Sequence, residues 1–325
     1  MVPARFVMAL GGTALSACVA CSGGHGGGGG GGSSPTSPST GTSGAPPTFT
    51  SDVGTYFQGA HPAPLVAGAT VYVYVNTGNA GTGVEGAADG LNFAPTPATY
   101  PAGVSRTIVP LPGAQYRMYY FATATSVDVS SAISSDGLTW LVEAGTRYSD
   151  PNIGGIRAIA LPTGGYRLYY PNGVGLTSVI SSDGLTFTSE GPVGLTPSDG
   201  TFTWGVSAAA YLNGQFHMVL TRTPTSTSVS ELWHAASLDG RTWTVDKSVM
   251  AANPGVPLSQ PAWGVRGATA RIYFRAQPNG SNVISSAVLG LTAPGASGGL
   301  DVRQRLGGLP QPGEAPRDTK PQPRR

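Results

Sequence analysis

The octapeptide ISSDGLTW, residues 133–140, recurs along the chain and decides how it folds. Near copies are ISSDGLTF at 180–187, ASLDGRTW at 236–243 and a degenerate AADGLNF at 87–93. Their aspartates, Asp89, Asp136, Asp183 and Asp239, are separated by 47, 47 and 56 residues. A repeat of this length is typical of an architecture that uses one supersecondary unit several times.

A strand-like run precedes each of the four turns, and a fifth run follows the last turn. The runs alternate β-branched and aromatic residues and are bounded by glycine, proline or asparagine, which is the pattern of β-strands. They are VYVYV at 71–75, YRMYY at 116–120, YRLYY at 166–170, FHMVL at 216–220 and RIYF at 271–274. No helical period occurs, and four strands in about 50 residues are typical of a propeller blade.

The two ends of the repeat complete each other. The fifth unit, SNVISSAVLGL at 281–291, matches TSVISSDGLTF with Ala287 in place of the aspartate, and no fourth strand follows it. The segment PTFTSDVG at 47–54 matches the fourth-strand text LTFTSEGP at 185–192 but has no blade of its own. We therefore predict an all-β fold, a five-bladed β-propeller of four-stranded antiparallel blades, whose last blade is closed by the strand around Phe49.

The flanks of the propeller differ from it in composition. Residues 1–17 have the weakly basic start and short apolar run of a signal peptide, and this run is too short to span a bilayer. Residues 18–46 are rich in Gly, Ser and Pro, which predicts a flexible tether. The propeller is expected over 47–292. Residues 293–325 combine Gly, Pro and Arg without apolar periodicity, which predicts a disordered basic tail.

The signal peptide ends in Leu15-Ser16-Ala17-Cys18, which resembles the lipobox of bacterial lipoproteins. The resemblance implies that Cys18 is lipidated and that the protein is held in the bacterial cell envelope, at the outer membrane or cell surface. Contact with the membrane would be through the lipid only. Ordinary secretory cleavage nearby is the alternative. Cys18 and Cys21 also form a C-x-x-C pair, but no βαβ pattern surrounds them, which argues against redox chemistry.

Composition excludes some classes of partner. Lys and Arg together number 18 against 16 acids, and the propeller region has no basic stripe, so nucleic acid is not expected. His61, His217 and His234 fall in three different blades with no metal-ligand spacing. We predict no cofactor and no metal, although the sequence is compatible with calcium in a propeller channel. We expect a monomer.

The repeated turn resembles the Asp-box of sialidases. Over residues 47–290, the repeat also resembles the five-bladed glycoside hydrolases of the arabinanase, β-xylosidase and invertase type. The resemblance implies that the Asp-Gly turns join third and fourth strands on the face opposite the ligand site. The alignment of the repeats assigns structural roles to a set of acids that stand three positions after the aromatic residue, at one place on the outermost strands: Asp52, Glu143, Glu190 and Asp246. Glu190 lies in SEGP, which is similar to the general-acid motif of those enzymes, but its blade position favours the scaffold.

The resemblance further implies catalytic acids where inner strands begin, and the sequence departs from it there. His61-Pro62 stands in place of Asp-Pro in blade one, and the arginines Arg106 and Arg157 are followed by Thr107 and Ala158 instead of an acid. No glutamate opens blade four, where the sequence is WGVSAAA at 204–210. Glycoside hydrolysis usually needs two carboxyl groups beside the scissile bond.

Several polar and aromatic residues are not explained by the repeat. Weak catalytic candidates are the acids expected to reach the ligand face: Asp128, Asp150, Asp199 and Glu231. Aromatic rings stack on sugars, and arginines bind hydroxyls or carboxylates. We therefore predict that the ligand-binding residues are His61, Arg106, Arg157, Trp204 and Trp263. The alternative for the arginines and tryptophans is that they fill the channel and the core between blades.

We interpret the chain as a cell-surface lipoprotein with a glycosidase-like propeller. We expect it to bind a glycan or another extracellular ligand without the catalytic acids of the resembling enzymes. Two alternatives remain: an active glycoside hydrolase with rearranged carboxylates, and a protein-interaction scaffold.

Overall fold

The computed structural model describes residues 48–52, 56–77, 81–172, 175–196, 201–227, 229–249, 255–267 and 269–290. All of them belong to one unit, Gly44–Arg325. They form five sheets and one short 3₁₀ turn, Pro278–Gly280. The predicted signal peptide, the tether and the basic tail lie outside these residues. Among the described residues no helix has the length and hydropathy that a membrane span requires.

Each sheet is one blade, and its strands follow each other from the centre of the molecule outwards. Blade 1 contains β2 (Ala60–Ala67), β3 (Thr70–Thr77), β4 (Gly81–Ala87) and β5 (Ala94–Pro95). Blade 2 contains β6 (Val104–Leu111), β7 (Gln115–Phe121), β8 (Asp128–Ser134) and β9 (Leu141–Ser149). Blade 3 contains β10 (Arg157–Ala160), β11 (Tyr166–Asn172), β12 (Gly175–Ser181) and β13 (Thr188–Pro192).

Blade 4 has two added strands, and blade 5 takes its outermost strand from the other end of the propeller sequence. Blade 4 contains β16 (Ala208–Leu212), β17 (Gln215–Pro224), β18 (Glu231–Ser237) and β19 (Thr242–Val249). Beside these, β14 (Gly194–Thr196) runs parallel to β19, and β15 (Phe202–Trp204) pairs with the end of β17. Blade 5 contains β20 (Leu258–Arg266), β21 (Thr269–Ala276), β22 (Val283–Gly290) and, as its outermost strand, β1 (Thr48–Ser51).

Strand β1 closes the ring. It pairs antiparallel with β22, with Phe49 opposite Leu289. The predicted all-β, five-bladed propeller with an N-terminal closing strand is therefore confirmed. Closure also pairs the free edge of β22, which would otherwise expose a row of unpaired backbone groups.

The sequence match within blade 5 was, however, out of register. Ala287 lies inside β22 opposite Ile272 and not in a turn. In blade 3, Tyr169 faces Ser178, and in blade 5 the equivalent Tyr273 faces Ser286. Structurally equivalent residues of blades 3 and 5 are therefore 108 positions apart (286 − 178), whereas the sequence match had placed them 104 positions apart (287 − 183). The match was wrong by four residues because the two ISS triplets occupy different parts of their strands.

The Asp-Gly turns join the third and fourth strands of blades 1 to 4. In blade 2, Asp136 Oδ1 accepts hydrogen bonds from the backbone N–H of Leu138 at 2.8 Å and of Thr139 at 2.7 Å. The bond from Thr139, followed by that from Leu138, lowers the pKa of Asp136 to about 2. The turn also needs a left-handed residue, which Gly137 supplies with φ +75°. We call the face that holds these turns the turn face.

Each Asp-Gly turn is bonded to the blade before it. The second-strand tyrosines of four blades donate their hydroxyl hydrogen to the carbonyl of the turn glycine in the next blade around the ring. The pairs are Tyr74 with Gly137, Tyr119 with Gly184 (2.9 Å), Tyr169 with Gly240 (2.7 Å) and Tyr273 with Gly90 (2.9 Å). The four tyrosines are at most 1% exposed. The repeated turn therefore holds neighbouring blades together as well as reversing the chain.

The acids of the outermost strands also have structural partners. Arg117 holds Glu143 with two hydrogen bonds of 2.8 and 3.0 Å, and Ser131 adds a third at 2.7 Å. Burial acts to raise the pKa of Glu143, but the bonds from Arg117 and Ser131 outweigh it, so the pKa is lowered. Blades 3 and 5 repeat the arrangement with Arg167, Ser178 and Glu190, and with Arg271, Ser286 and Asp52.

Blade 4 replaces this arginine, serine and glutamate with two histidines and an aspartate. Both histidines lie in this one blade, so the sequence-based placement of His217 and His234 in different blades was wrong. His217 Nδ1 lies 3.1 Å from His234 Nε2, and His234 Nδ1 bonds to Asp246. His217 is 6% exposed and His234 is fully buried. This exception to the repeat puts titratable groups where blades 2, 3 and 5 hold an ion pair between an arginine and an acid.

Candidate ligand site at the channel mouth

The five innermost strands, β2, β6, β10, β16 and β20, surround a central cavity of about 330 Å³. Small apolar residues dominate its wall, and none of the residues lining it is acidic. Its far end lies at the turn face, where Tyr211 and Val265 are 38% and 37% exposed. At the other end the inner strands begin. We call that end the strand-entry face and its centre the channel mouth.

Arg157 closes the channel mouth. All five of its N–H groups donate to backbone carbonyl oxygens, at distances from 2.8 to 3.4 Å. The acceptors belong to four blades and are Pro62, Arg106, Ile156, Gln260 and Pro261. Burial lowers the pKa of Arg157 to about 10, so the side chain remains a cation at neutral pH. Arg157 therefore contributes charge to the mouth, while its hydrogen bonds are used within the protein.

Three inner strands begin with a β-bulge at the mouth. The pairing shifts between Ala60 and Ala63 in β2, and there are equivalent shifts in β6 and β20. In each bulge one residue that is not glycine has a left-handed backbone conformation: His61 at φ +51°, Ser105 at +53° and Gln260 at +56°. His61 and Gln260 also precede proline, which makes this conformation more costly. Backbone strain of this kind is concentrated at functional sites.

The bulge in β6 separates two arginines that the sequence had aligned. Arg157 lies opposite Tyr169, while in blade 2 the equivalent place opposite Tyr119 belongs to Thr107. The match of Arg106 with Arg157 was therefore wrong by one residue. Arg106 is 1% exposed and donates to Asn76 Oδ1 at 2.9 Å and to the carbonyl of Pro101 at 3.1 Å.

His61 and Gln260 are held side by side at the mouth. The backbone N–H of His61 donates to Gln260 Oε1 at 2.8 Å, so the amide nitrogen of Gln260 faces His61 Nε2, 2.9 Å away. Nε2 must therefore accept, and the proton of the neutral ring sits on Nδ1. Burial, followed by the charges of Arg157, Arg275 and Arg106, lowers the pKa of His61 to about 3, so the ring is neutral.

Arg275 lies beside this pair at the end of β21. Its Nε donates to Ser259 Oγ at 2.9 Å. The side chain is half-buried, and burial lowers its pKa. Among the described residues, no carboxylate forms an ion pair with Arg275, Arg106 or Arg157.

A second polar group lies on the strand-entry face in blade 4. The guanidinium of Arg222 lies over the rings of Phe202 and Trp233, with its Cζ 4.5 and 4.6 Å from their centroids. Glu231 Oε2 accepts from Arg222 at 3.2 Å and from the indole of Trp233 at 2.8 Å. This group combines a guanidinium, two aromatic rings and a carboxylate on the strand-entry face.

The two tryptophans predicted to bind ligand lie deeper. Trp204 is 5% exposed and packs edge-on against Phe202, with ring centroids 4.5 Å apart. Trp263 lines the central cavity, and its indole donates to the carbonyl of Ala208 at 2.9 Å. The structure thus brings His61, Arg106 and Arg157 together, and places the two rings in the surrounding core and channel wall.

The predicted acids are found towards the edges of this face. Asp128 pairs with Ser149, and the backbone N–H of Asp150 donates to the carbonyl of Val127 at 3.3 Å. Both aspartates therefore lie at the same end of the two outer strands of blade 2. Asp150 accepts from Tyr170 at 2.7 Å. Glu231 belongs to blade 4, and Asp199 lies outside the described residues. Within the described ranges, no three His, Cys, Asp or Glu side chains are grouped as metal ligands would be.

The sequence-based prediction omits Gln260 and Arg275, although two signals point to them. HPAPLV at 61–66 and QPAWGV at 260–265 share Pro, Ala and Val at the same places, so Gln260 is the counterpart of His61. The alternation of β21 also continues beyond the RIYF run to Arg275. A side chain two places after a repeat tyrosine points to the same side of the sheet.

Comparison with known proteins supports the fold. No protein-family profile matches the sequence, and no curated protein matches it. An exo-1,5-α-L-arabinanase from a bovine ruminal metagenomic library matches with a TM-score of 0.57 at 11% identity, over 72% of this chain and 97% of that chain. The fold is that of the arabinanases.

Two further solved structures agree. The α-L-arabinanase of Cellvibrio cellulosa, solved with arabinohexaose, matches with a TM-score of 0.58 at 10% identity, over 72% of this chain and 92% of its own. An α-L-arabinofuranosidase of Clostridium thermocellum matches with a TM-score of 0.54 at 13% identity, over 67% and 82%. At such identities the likeness extends to the glycosidase-like propeller, and no residue role is transferred with it.

Proposed function

We propose that this propeller binds a saccharide on its strand-entry face and does not hydrolyse it. The observation that carries the proposal is the composition of the channel mouth. Its described residues supply two buried arginines, a half-buried third, a neutral histidine and a glutamine, and no carboxyl group. Glycoside hydrolysis usually needs two carboxyl groups about 5 to 10 Å apart around the scissile bond.

The acids nearer the edge do not replace such a pair. A general acid must keep its proton at the working pH, which requires a raised pKa. The hydrogen bond from the N–H of Asn152, followed by that from Tyr170, lowers the pKa of Asp150 instead. Glu231 is engaged by Arg222 and Trp233. These contacts favour structural roles for both acids.

Saccharide is the ligand class favoured by the fold and by the chemistry of the face. Several of the matching propellers are arabinanases, and one was solved with arabinohexaose. Here, Trp233 is partly exposed beside Arg222 and Glu231, which combines an apolar ring with donors and an acceptor. Such combinations suit the apolar faces and hydroxyl groups of sugars.

The proposal is tested with a panel of neutral and acidic oligosaccharides that includes arabinohexaose. Binding is measured by calorimetry, and the recovered sugar is analysed for shortened products. We expect at least one saccharide to bind and to be recovered intact. Trp233→Ala should weaken binding about tenfold, since a ring contact of roughly 1.4 kcal/mol corresponds to that factor. Leu238→Ala, on the turn face and 83% exposed, is the control and should leave binding unchanged.

Two results would contradict the proposal in different ways. Shortened products that increase with time would show a glycoside hydrolase with rearranged carboxylates. Absence of binding to every saccharide, while the protein remains folded, would favour a protein-interaction scaffold.

We also propose that the propeller is attached to the bacterial cell envelope through a lipid on Cys18. Support comes from Leu15-Ser16-Ala17-Cys18 after a short apolar run, and from the Gly/Ser/Pro-rich composition of residues 18–46. A flexible tether of that composition would let the propeller reach ligands away from the membrane surface.

A further inference from the structure

Three arginines and a histidine at the channel mouth form one connected group around Gln260. Arg157 donates to the carbonyl of Gln260, and the side chain of Gln260 holds His61. The carbonyl of Arg106 accepts from Arg157, and Ser259, next to Gln260, accepts from Arg275. We call Arg106, Arg157 and Arg275 the arginine cluster.

The arginine cluster differs from five of the other described arginines, while Arg147, also without an ion pair, lies near enough to Glu143 for its charge to lower the pKa of that acid. Arg117, Arg167, Arg222, Arg241 and Arg271 each lie within ion-pair distance of a Glu or Asp. The arginine cluster has no such partner among the described residues. A buried cation without a counter-charge is costly, so this surface is unusually favourable for an anion.

Unused hydrogen-bond donors point in the same direction. Two buried nitrogens in this group, His61 Nδ1 and Arg106 Nε, have no hydrogen-bond partner. The pairing of His61 with Gln260 makes Nδ1 a donor, and an arginine Nε is always a donor. Both nitrogens therefore lack an acceptor, and the group as a whole offers positive charge and N–H donors with no acid to satisfy them.

Arg275 is the member that a ligand can reach. It is half-buried, and its one described hydrogen bond, from Nε to Ser259, leaves its Nη atoms for an external acceptor. Arg106 and Arg157 are 1% and 3% exposed and act as fixed charges behind it. Charges in such a low-dielectric setting are weakly screened by salt.

We propose that this site recognises the anionic group of an acidic saccharide, either the carboxylate of a uronic acid or a sulfate ester. Arg275 makes the direct contact, and Arg106 and Arg157 supply the positive potential. The inference rests on the proposed function and narrows its ligand to acidic sugars. A guanidinium suits both oxyanions because it can donate two parallel hydrogen bonds.

The test compares calorimetric affinities for arabinohexaose, an oligogalacturonide of matched length and a sulfated chondroitin oligosaccharide. We expect at least one acidic ligand to bind at least ~10-fold more tightly than the neutral one. The ligand that shows the gain identifies the carboxylate or the sulfate as the recognised group. Inorganic sulfate should compete with it, and chloride at equal ionic strength should compete less.

Matched variants assign the effect to the site. Arg275→Gln should remove most of the preference for acidic ligands, while Arg275→Lys should retain part of it. Arg266→Gln makes the same charge change at an exposed arginine at the end of β20 on the turn face, and should keep the preference. Arg275 has one described hydrogen bond, so thermal unfolding of Arg275→Gln should show a folded protein.

The outcomes separate this inference from the proposed function. If neutral and acidic saccharides bind equally, or if Arg275→Gln keeps the preference, the acidic ligand class is wrong and saccharide binding stands. The same conclusion follows if Arg266→Gln loses as much preference as Arg275→Gln. If no saccharide of either class binds, both are wrong.

Discussion

Removing a tyrosine hydroxyl that donates to the next blade should lower the free energy of unfolding. The size of the loss should depend on whether the acceptor carbonyl has a second donor. Tyr119 is fully buried, and its hydroxyl group is the described donor to the carbonyl of Gly184. Tyr119→Phe loses a bond of about 1 kcal/mol and leaves a buried carbonyl unpaired, so we expect a loss of about 2 kcal/mol. The carbonyl of Gly240 keeps a second donor, Trp243 Nε1 at 3.1 Å, so Tyr169→Phe should cost only about 1 kcal/mol.

Urea unfolding followed by tryptophan fluorescence measures these differences, and thermal unfolding provides a second measurement. A loss of 2 kcal/mol should lower the Tm by about 4–8 °C in a domain of this size. Tyr116→Phe is the control, since its half-buried hydroxyl has no hydrogen-bond partner among the described residues, and it should change stability by less than about 0.5 kcal/mol. Equal losses for Tyr119→Phe and Tyr116→Phe, or a larger loss for Tyr169→Phe, would refute the reasoning.

A pair of glycines tests the same contact from the other side. Gly184 and Gly113 have φ of +74° and +76°, so alanine pays a similar backbone cost of about 1 kcal/mol at either place. At Gly113 an added Cβ meets nothing within 4 Å, whereas at Gly184 it would lie 2.6 Å from the hydroxyl of Tyr119. Gly184→Ala should therefore cost about 1–3 kcal/mol more than Gly113→Ala. Part of that excess should disappear in the Tyr119→Phe background.

Two further predictions concern pH and location. Burial, followed by the charge of His234, lowers the pKa of His217 from 6.5 to about 4, so the unfolded chain binds this proton more readily. The contribution of His217 to the free energy of unfolding should be complete above pH 6.5 and should decrease towards pH 4, and His61 should act in the same direction. The triple variant His217→Arg, His234→Ser and Asp246→Glu introduces the arginine, serine and glutamate of blades 2 and 3. Its urea midpoint should therefore decrease less between pH 6.5 and pH 4 than that of the original protein. Cys18→Ser should move the protein from the membrane fraction to the soluble fraction of a bacterial host, and an unchanged distribution would exclude the lipid anchor.

The fold could be predicted because its repeated elements are local. An Asp-Gly turn contains most of its own hydrogen bonds within a few residues, as Asp136 shows with Leu138 and Thr139. A strand that closes the ring is harder to place, but the copy of the fourth-strand text around Phe49 marked it. The register of β22 could not be read in the same way, because Ala287 is placed by long-range pairing with Ile272 and Ser51.

The candidate site was only partly predictable for a similar reason. His61 stands where the resemblance implies an acid, and Arg106 and Arg157 are followed by Thr107 and Ala158 where it implies another. The bulges that arrange them are not marked by glycine, since Ser105 and Gln260 adopt positive φ without it. Apart from its neighbour Ile156, the partners of Arg157 come from three other blades that are distant in sequence, so its place at the channel mouth follows only from the closed ring.

The repeat and its exceptions together explain why the site lies where it does. In blade 4, Val219 occupies the place of the tyrosine that bonds to the next turn, and no Asp-Gly turn is described in blade 5 to receive such a bond. Blades 4 and 5 are joined instead by apolar packing that includes Val219, Ile272 and Phe274, and by a hydrogen bond from the indole of Trp263 to the carbonyl of Ala208. Where the repeated turn is absent, a blade can differ in sequence without breaking the tyrosine–glycine hydrogen bond that joins the other blades. Blade 5 supplies Gln260 and Arg275, so the arginine proposed to contact the anion directly belongs to a blade in which no Asp-Gly turn is described, while Arg106 and Arg157 come from blades 2 and 3.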